Sequence, residues 1–450
     1  MNKMKCSMGK KIALAWAIIL ACGSVAAQDA KDTLRLTLNQ ALEIALSDNP
    51  AIKVADQEIQ LKKTANKEAY AGLFPEASLT GSYQRAVKKQ TMAMNFGGET
   101  TTIKMGRDNT YNGGLTVSLP LFAPAIYKSI SLTESDVDLA VEKARSSRIG
   151  MVNQVTKAYY QLLLAQDSYA VLKKSYGQSE ANYNVIKAKY EQGSVSEYDK
   201  IRGEVQMRNL MPAVVSARNG VNLARLQLKV LMGMDPGIEI AVAGNLKDYE
   251  LVMFQQQLDD RTFHLNNNTD LKQLALNAEL LNKNLKLQQT NFMPTLGASF
   301  NYAYMSMNEN FRISQYDWYP YSTLGLSLTI PLFKAGNFTK LKQAKIQLRQ
   351  LAENKTNVER QLQMQATNYM DNMSTSAEQV VSNKENVLQA EKGREIARKR
   401  YDVGKGTILE LNDSEVALVQ AQLTYHQAIY DYLVAKADLD QVLGVEPPVK

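Results

Sequence analysis

The sequence predicts a mixed α and β membrane protein written twice, each half carrying a pair of amphipathic β-strands and a pair of long coiled-coil helices. Three observations carry that expectation. Short motifs recur at a constant spacing of 211 residues: Ser118-Leu119-Pro120-Leu121-Phe122 as Thr329-Ile330-Pro331-Leu332-Phe333, Tyr190-Glu191-Gln192-Gly193 as Tyr401-Asp402-Val403-Gly404, and Leu231-Met232-Gly233 as Val442-Leu443-Gly444. A fixed offset held that far means one structural unit duplicated in register. Four segments of about ten residues alternate apolar and polar with period two. The rest is dominated by long runs with the three-four apolar spacing of a helix face.

The chain begins with a targeting segment over residues 1–27. Lys3, Lys5, Lys10 and Lys11 make it positive, Ile12 to Cys22 is almost wholly apolar, and Val25-Ala26-Ala27 offers small residues for cleavage. The apolar run is too short to span a bilayer. Ile19-Leu20-Ala21-Cys22 supplies an alternative processing site that would leave a lipidated Cys22. With Cys6 also in this segment, a chain cleaved after Ala27 has no cysteine and no disulfide, so packing must hold it together. Loss of the four lysines takes the formal charge from +7 to +3, a balance that does not imply nucleic acid. No later run approaches 18 uninterrupted apolar residues, so any membrane crossing falls to strands.

The first repeat is expected over residues 28–266 and the second over 267–450. In the first, a helix starts at Thr37-Leu38 and runs to about Leu73. A strand over 76–86 sets Ala77, Leu79, Gly81 and Tyr83 against Ser78, Thr80, Ser82 and Gln84; a second over 110–120 sets Leu115, Val117 and Leu119 against Thr116 and Ser118. Long helices fill 124–232, opened by Pro124, whose missing donor suits a first turn. Pro212 falls inside the return helix and is expected to kink it near Arg208. The second repeat has a helix near Thr269 to Asn291, strands over 294–304 and 321–331, and long helices over 335–443. A helix of about 65 residues is roughly 100 Å long, so the molecule must be elongated. Phe74-Pro75 lies 45 residues before Pro120 but Met293-Pro294 only 37 before Pro331, so the stretches between strands, Ala86 to Asn109 and Met305 to Tyr319, read as exposed loops.

The polar strand faces are almost all small hydroxyls, as expected of a barrel with apolar residues outside and water within. Four strands cannot close a barrel, and an open edge in lipid strands backbone groups at several kcal/mol each. The chain must therefore oligomerise; two copies supply eight strands and three supply twelve.

These duplicated motifs, within this strand and helix pattern, resemble the TolC-like outer-membrane efflux proteins over essentially the whole mature length. The resemblance implies a homotrimer with a 12-stranded β-barrel in the outer membrane of a Gram-negative bacterium and a helical periplasmic tunnel. It implies an exit duct of a tripartite efflux or type I secretion system, docking a periplasmic adaptor and an inner-membrane pump of RND, ABC or MFS type. The exports would be small toxic molecules, metal ions or polypeptides; nothing in the sequence selects among them.

Matched residue by residue, the resemblance places adaptor docking on Gly193, Ser194, Gly404 and Lys405. It places a constriction ring on Glu410 and Asp413, three apart on one helix face, and gate contacts on Asp199 and Tyr401. The arginine that completes the family's gate is replaced by Gly406, so a closed state needs other partners, Lys405 or Arg400. No cofactor, metal or catalytic site is expected: His264 and His426 are the only histidines, and Gly404-Lys405-Gly406-Thr407 lacks the order of a phosphate loop. A non-conducting, elongated coiled-coil tether of the envelope is the alternative, which leaves the hydroxyl-lined strands unexplained.

Overall fold

A computed structural model describes residues 34–96, 99–255 and 263–446; the targeting segment with Cys6 and Cys22 lies outside them. The chain runs from a short strand β1 (Leu34–Leu36) into helices α1 (Leu38–Asp48) and α2 (Pro50–Ala71), then strand β2 (Glu76–Arg85). A hairpin of β3 (Gln90–Phe96) and β4 (Glu99–Met105) precedes β5 (Asn109–Phe122), α3 (Pro124–Glu191) and α4 (Glu197–Leu231). A connecting segment holds β6 (Ile240–Val242) and α5 (Glu250–Gln255). The second half follows with α6 (Thr269–Gln289), β7 (Thr295–Asn308), β8 (Tyr319–Thr329), α7 (Ala335–Asp402) and α8 (Ile408–Leu443).

Three expectations change. The single helix from Thr37 to Leu73 is two, because Asn49 precedes Pro50 and is held extended at φ −62°, ψ 127°. Its side-chain oxygen accepts from the Ala51 N–H at 2.7 Å, ending one helix and capping the next. The loop from Ala86 to Asn109 contains the β3–β4 hairpin, in which Met92 stands opposite Ile103. The linker contributes β6, which pairs in parallel with β1. Pro212 does not end α4, which runs on through it; its missing N–H leaves the Arg208 carbonyl without a helical donor.

The four long strands form one antiparallel sheet in the order β2-β5-β7-β8. Its register carries the sequence alternation across all strands. On one face Ala77, Val117, Phe300 and Leu324 stand side by side, flanked by Leu79, Leu115 and Tyr302 and by Leu119, Ala298 and Leu326. The other face stacks Ser78, Thr116, Asn301 and Thr323 beside Glu76, Ser118 and Ser299. The apolar face is bare in the single chain, with Leu79 84% and Leu324 80% exposed. Water does not tolerate such a surface at this size. From Leu296 to Tyr304 the face runs eight residues, about 26 Å along the strand and about 20 Å along the normal at a tilt near 40°. Phenylalanines 122, 292, 333 and 338 stand at the helix end, with Phe292 and Phe338 5.0 Å apart between ring centres. Tyr83, Tyr111 and Trp318 stand at the other end. The outer strands, β2 and β8, each keep one edge unpaired among the described residues.

Helices α3 and α7 each have 68 residues, close to 100 Å at 1.5 Å per residue. Their return partners α4 and α8 have only 35 and 36. The remaining length is covered by the shorter helices: α2 packs on α3, and α6 packs on both α3 and α7. Among the described residues no helix is long and apolar enough to cross a membrane.

The core lies at mid-length, where α3 meets α8, α1 and the β1–β6 pair. Tyr159 is 1% exposed there; its hydroxyl donates to the carbonyls of Ala243 at 2.8 Å and Leu36 at 3.3 Å, fastening the small sheet to α3. The closing Leu-Met-Gly and Val-Leu-Gly motifs acquire a structural meaning here. Gly233 and Gly444 end α4 and α8 at φ 69° in both cases. A Cβ on Gly233 would sit 2.9 Å from the Asp48 carbonyl, and one on Gly444 would collide with the Asn267 carbonyl. The residues that follow, Asn49 and Asn268, each donate from the side-chain amide to a carbonyl of the ending helix, Leu231 and Val442, at 2.7 Å. Each asparagine also caps the helix it begins. The duplication thus repeats a buried joint between the long hairpin and the next helix.

A candidate functional site at the hairpin tips

Both tips have the same backbone. At the first, the N–H of Ser194 reaches back to the Lys189 carbonyl at 2.8 Å and that of Gly193 to Tyr190 at 2.8 Å. At the second, Lys405 reaches Arg400 at 2.8 Å and Gly404 reaches Tyr401 at 3.1 Å. This paired closure requires a left-handed residue, and Gly193 and Gly404 stand at φ 73° and 72°. Nothing lies within 4 Å of a Cβ built on either, so conformation and not space selects glycine. Ser196 and Thr407 then cap the return helices by accepting from the N–H groups of Asp199 and Glu410, both at 3.2 Å. Ser194 and Lys405 are exposed at the two turns.

The two tips pack on one another. Ile186 from α3 meets Ile408 and Leu411 from α8 in a small buried cluster, with Val195, Ala397 and Tyr401 around it. The Lys189 ammonium lies 5.4 Å from the Tyr401 ring centre, within cation–π range. The Tyr401 hydroxyl is buried and has no hydrogen-bond partner among the described residues. Burial pushes this phenol above its ordinary pKa, and the negative charge of Asp199 adds to the rise. The structure therefore brings Asp199 and Tyr401 together without joining them by a hydrogen bond: the Asp199 carboxylate instead accepts from the Ser196 hydroxyl at 2.8 Å.

The carboxylates of the second tip are treated differently from one another. Glu410 faces Arg400 at 3.7 Å across the α7–α8 turn. Arg400 also donates to the Lys405 carbonyl at 3.3 Å. Asp413 is exposed and forms no ion pair among the described residues. One turn further, Glu415 is 8% exposed and accepts from Arg394 Nε at 2.8 Å, pinning α7 to α8. Gly406 lies against Arg400, where a Cβ would stand 3.0 Å from the Arg400 Cβ. Any larger residue there must displace the arginine that holds Glu410.

Both histidines lie away from the tips. His264 is exposed, whereas His426 is 6% exposed and points its Nδ1 toward Asp167 at 3.7 Å, too long for a hydrogen bond. Burial lowers the imidazole pKa and raises that of Asp167, whose carboxylate accepts from the Leu246 N–H at 3.0 Å. No group of metal-ligating side chains occurs among the described residues.

Sequence reasoning missed Lys189, which sits 212 positions from the ring it covers, and the half-buried pair Arg394–Glu415. The two asparagine joints carried a usable signal: an asparagine directly before a helix start, at equivalent places in both halves.

A family model described as outer membrane efflux protein matches residues 41–234 and 264–445. The chain is 21% identical over 434 residues to the outer membrane protein TolC of Vibrio cholerae, a likeness that covers 94% of this chain and 93% of that one. It is 23% identical over 422 residues to the alkaline protease secretion protein AprF of Pseudomonas aeruginosa, covering 92% and 86%. Among solved structures, the CmeC outer membrane channel of Campylobacter jejuni superposes with a TM-score of 0.69 at 18% identity, over 90% of this chain and 85% of that one. The open state of the MtrE outer membrane channel of Neisseria gonorrhoeae gives 0.71 at 17% identity, over 90% and 88%.

Proposed function

The chain belongs to the outer membrane efflux protein family, and from that premise we propose that it is the outer-membrane exit duct of a tripartite export machine. The observation that carries this reading is the sheet: four strands with one apolar face and two unpaired edges, joined directly to helices close to 100 Å long. Three copies would pair β8 of each chain with β2 of the next, close twelve strands around hydroxyl-bearing faces, and leave no edge in lipid. A lumen of that size is too wide for side chains to fill. The helices would extend the duct into the periplasm.

At its far end, Gly193, Ser194, Gly404 and Lys405 would meet the helical hairpins of a periplasmic adaptor, which links the duct to an inner-membrane pump of RND, ABC or MFS type. Glu410 and Asp413, brought together three times by symmetry, would form six carboxylates around the constriction and favour cations. The gate would be held by the packed tips. Tyr401, whose hydroxyl is unpartnered among the described residues and whose ring lies under Lys189, would donate to Asp199 in the closed gate. Arg400 on Glu410 takes the part left open by Gly406.

The test is single-channel recording of the purified protein in a planar bilayer, beside its mobility in mild detergent. An exit duct gives discrete cation-selective conductance steps and a trimer that dissociates on heating. A protein that is extracted from membranes by high pH or salt and gives no conductance steps is the coiled-coil tether instead.

A further inference from the structure

The end of the sheet away from the helices carries an arrangement that conduction does not use. Arg85 is the last residue of β2 and lies on the same face as Leu79 and Tyr83, the apolar face. Below it Tyr83 packs on Tyr111 at 4.8 Å between ring centres, Tyr111 meets Tyr316 at 5.2 Å and Trp318 at 6.4 Å, and Phe311 joins Tyr83 at 6.1 Å. The Arg85 guanidinium is exposed and lies 5.1 Å above the Phe311 ring, which holds it over the aromatic cluster. Across the ladder, Arg85 pairs with Asn109, and Arg107 precedes that residue by two. Lys88 follows Arg85 in the same turn region and is also exposed.

Two of the nearby carboxylates are already engaged. Lys89 lies 3.1 Å from Asp108 and 2.8 Å from Glu309, so a single ammonium holds both carboxylates. Arg85, Lys88 and Arg107 form no ion pair among the described residues. The result is a cluster of cations directly outward of an aromatic belt. Aromatic belts in membrane strands mark the depth of the lipid–water boundary. Two residues further along a strand tilted near 40° is about 5 Å further out, the depth of lipid headgroups. Because the helices leave from the opposite end of the sheet and lie in the periplasm, this boundary is the outer leaflet.

We propose that Arg85 and Arg107, with Lys88 beside them, form a binding site for the phosphate groups of a phosphorylated glycolipid in the outer leaflet. The inference rests on the exit-duct reading for its orientation. Guanidinium suits this role because its planar donors bind phosphate oxygens in pairs and it keeps its charge at every physiological pH. The cation–π contact with Phe311 pre-orders one of the two, and the Lys89 bridge keeps Asp108 and Glu309 from competing.

The test uses the full-length trimer in non-ionic detergent, with retained ligand counted by native mass spectrometry. Three probes are compared: bis-phosphorylated lipid A, the same lipid with both phosphates removed, and inorganic pyrophosphate. Planar-bilayer conductance is recorded on the same preparations. The wild type is expected to retain the bis-phosphorylated lipid in preference to the other two. Each arginine near a charged lipid surface is worth about fivefold in binding, so Arg85→Gln with Arg107→Gln should lose about twenty-five-fold. Arg85→Lys with Arg107→Lys should lose less, and Lys128→Gln, at the helix end of the sheet, should lose nothing. Equal retention of the dephosphorylated lipid, displacement by equimolar pyrophosphate, or an unchanged double glutamine variant overturns the proposal while conductance stands. Absence of conductance in the wild type removes the exit-duct reading itself, and this site with it.

Discussion

Alanine at the four left-handed glycines should separate two kinds of turn. Gly193 and Gly404 at the tips and Gly233 and Gly444 at the joints all lie between φ 69° and 73°. Backbone conformation alone therefore costs each alanine variant about the same, about 1–2 kcal/mol. Space distinguishes them. A Cβ on Gly193 or Gly404 meets nothing within 4 Å. On Gly233 it stands 2.9 Å from the Asp48 carbonyl, and on Gly444 it collides with the Asn267 carbonyl. Both obstacles are backbone atoms next to a capping asparagine, so relief requires moving Asn49 or Asn268 off its 2.7 Å bond to the ending helix. Overpacking of this kind adds about 1–3 kcal/mol. Gly193→Ala and Gly404→Ala should thus cost about 1–2 kcal/mol and Gly233→Ala and Gly444→Ala about 2–5 kcal/mol. Urea unfolding followed by helical circular dichroism in detergent measures the order. Equal losses at all four sites would refute the reasoning, because conformation would then be the whole effect.

Other outcomes follow from single residues. Asn268→Ala removes a helix cap and strands the Val442 carbonyl, and the same unfolding experiment should show a loss of about 2–3 kcal/mol. Tyr401→Phe deletes a buried hydroxyl with no partner, so it should leave unfolding unchanged or slightly improved; if Asp199 does accept from that hydroxyl in a closed gate, open probability in bilayers rises. Glu410→Gln with Asp413→Asn should shift the reversal potential in a salt gradient toward that of an unselective pore, and an unchanged potential ends the acidic-ring reading. His426 has its pKa lowered from 6.5 by burial, so the native state binds fewer protons than the unfolded one. Its contribution is complete above pH 6.5 and is lost as pH falls below it. His426→Gln should flatten stability over that range, measured as unfolding midpoints between pH 7.5 and 5.

The architecture was legible because its signals are periodic and doubled. Strand alternation such as Leu324, Leu326 and Leu328 against Thr323, Ser327 and Thr329 survives in the sheet, in register with three other strands. The helices begin at Pro124 and close at Gly193 and Gly404, as their turn residues indicate. What escaped was local or long-range. The three-residue strands β1 and β6 are too short to show a period, and they pair 206 positions apart, from Leu34 to Ile240. The β3–β4 hairpin was hidden by a glycine- and threonine-rich composition that suits an irregular loop as well as a ribbon. At the tips, the glycines were legible from their turn chemistry. The contact between the tips, Lys189 on Tyr401, depends on how two hairpins sit against each other, and Arg400 on Glu410 depends on which side chains reach across a single turn.

The central claim is that β2 and β8 are joined between chains. The only cysteines of the sequence are Cys6 and Cys22, which makes engineered pairs easy to follow. Within a chain, β2 and β8 are separated by β5 and β7, about 14 Å at the usual strand spacing, beyond the roughly 7 Å that a disulfide can bridge. Ser78→Cys on β2 is combined in turn with Thr323→Cys, Gly325→Cys and Ser327→Cys on β8, in membranes of living cells. Oxidation should give a denaturant-resistant ladder of one, two and three chains that stops at three. Monomer at every pairing, or a ladder that runs past three, would contradict the closed twelve-stranded barrel.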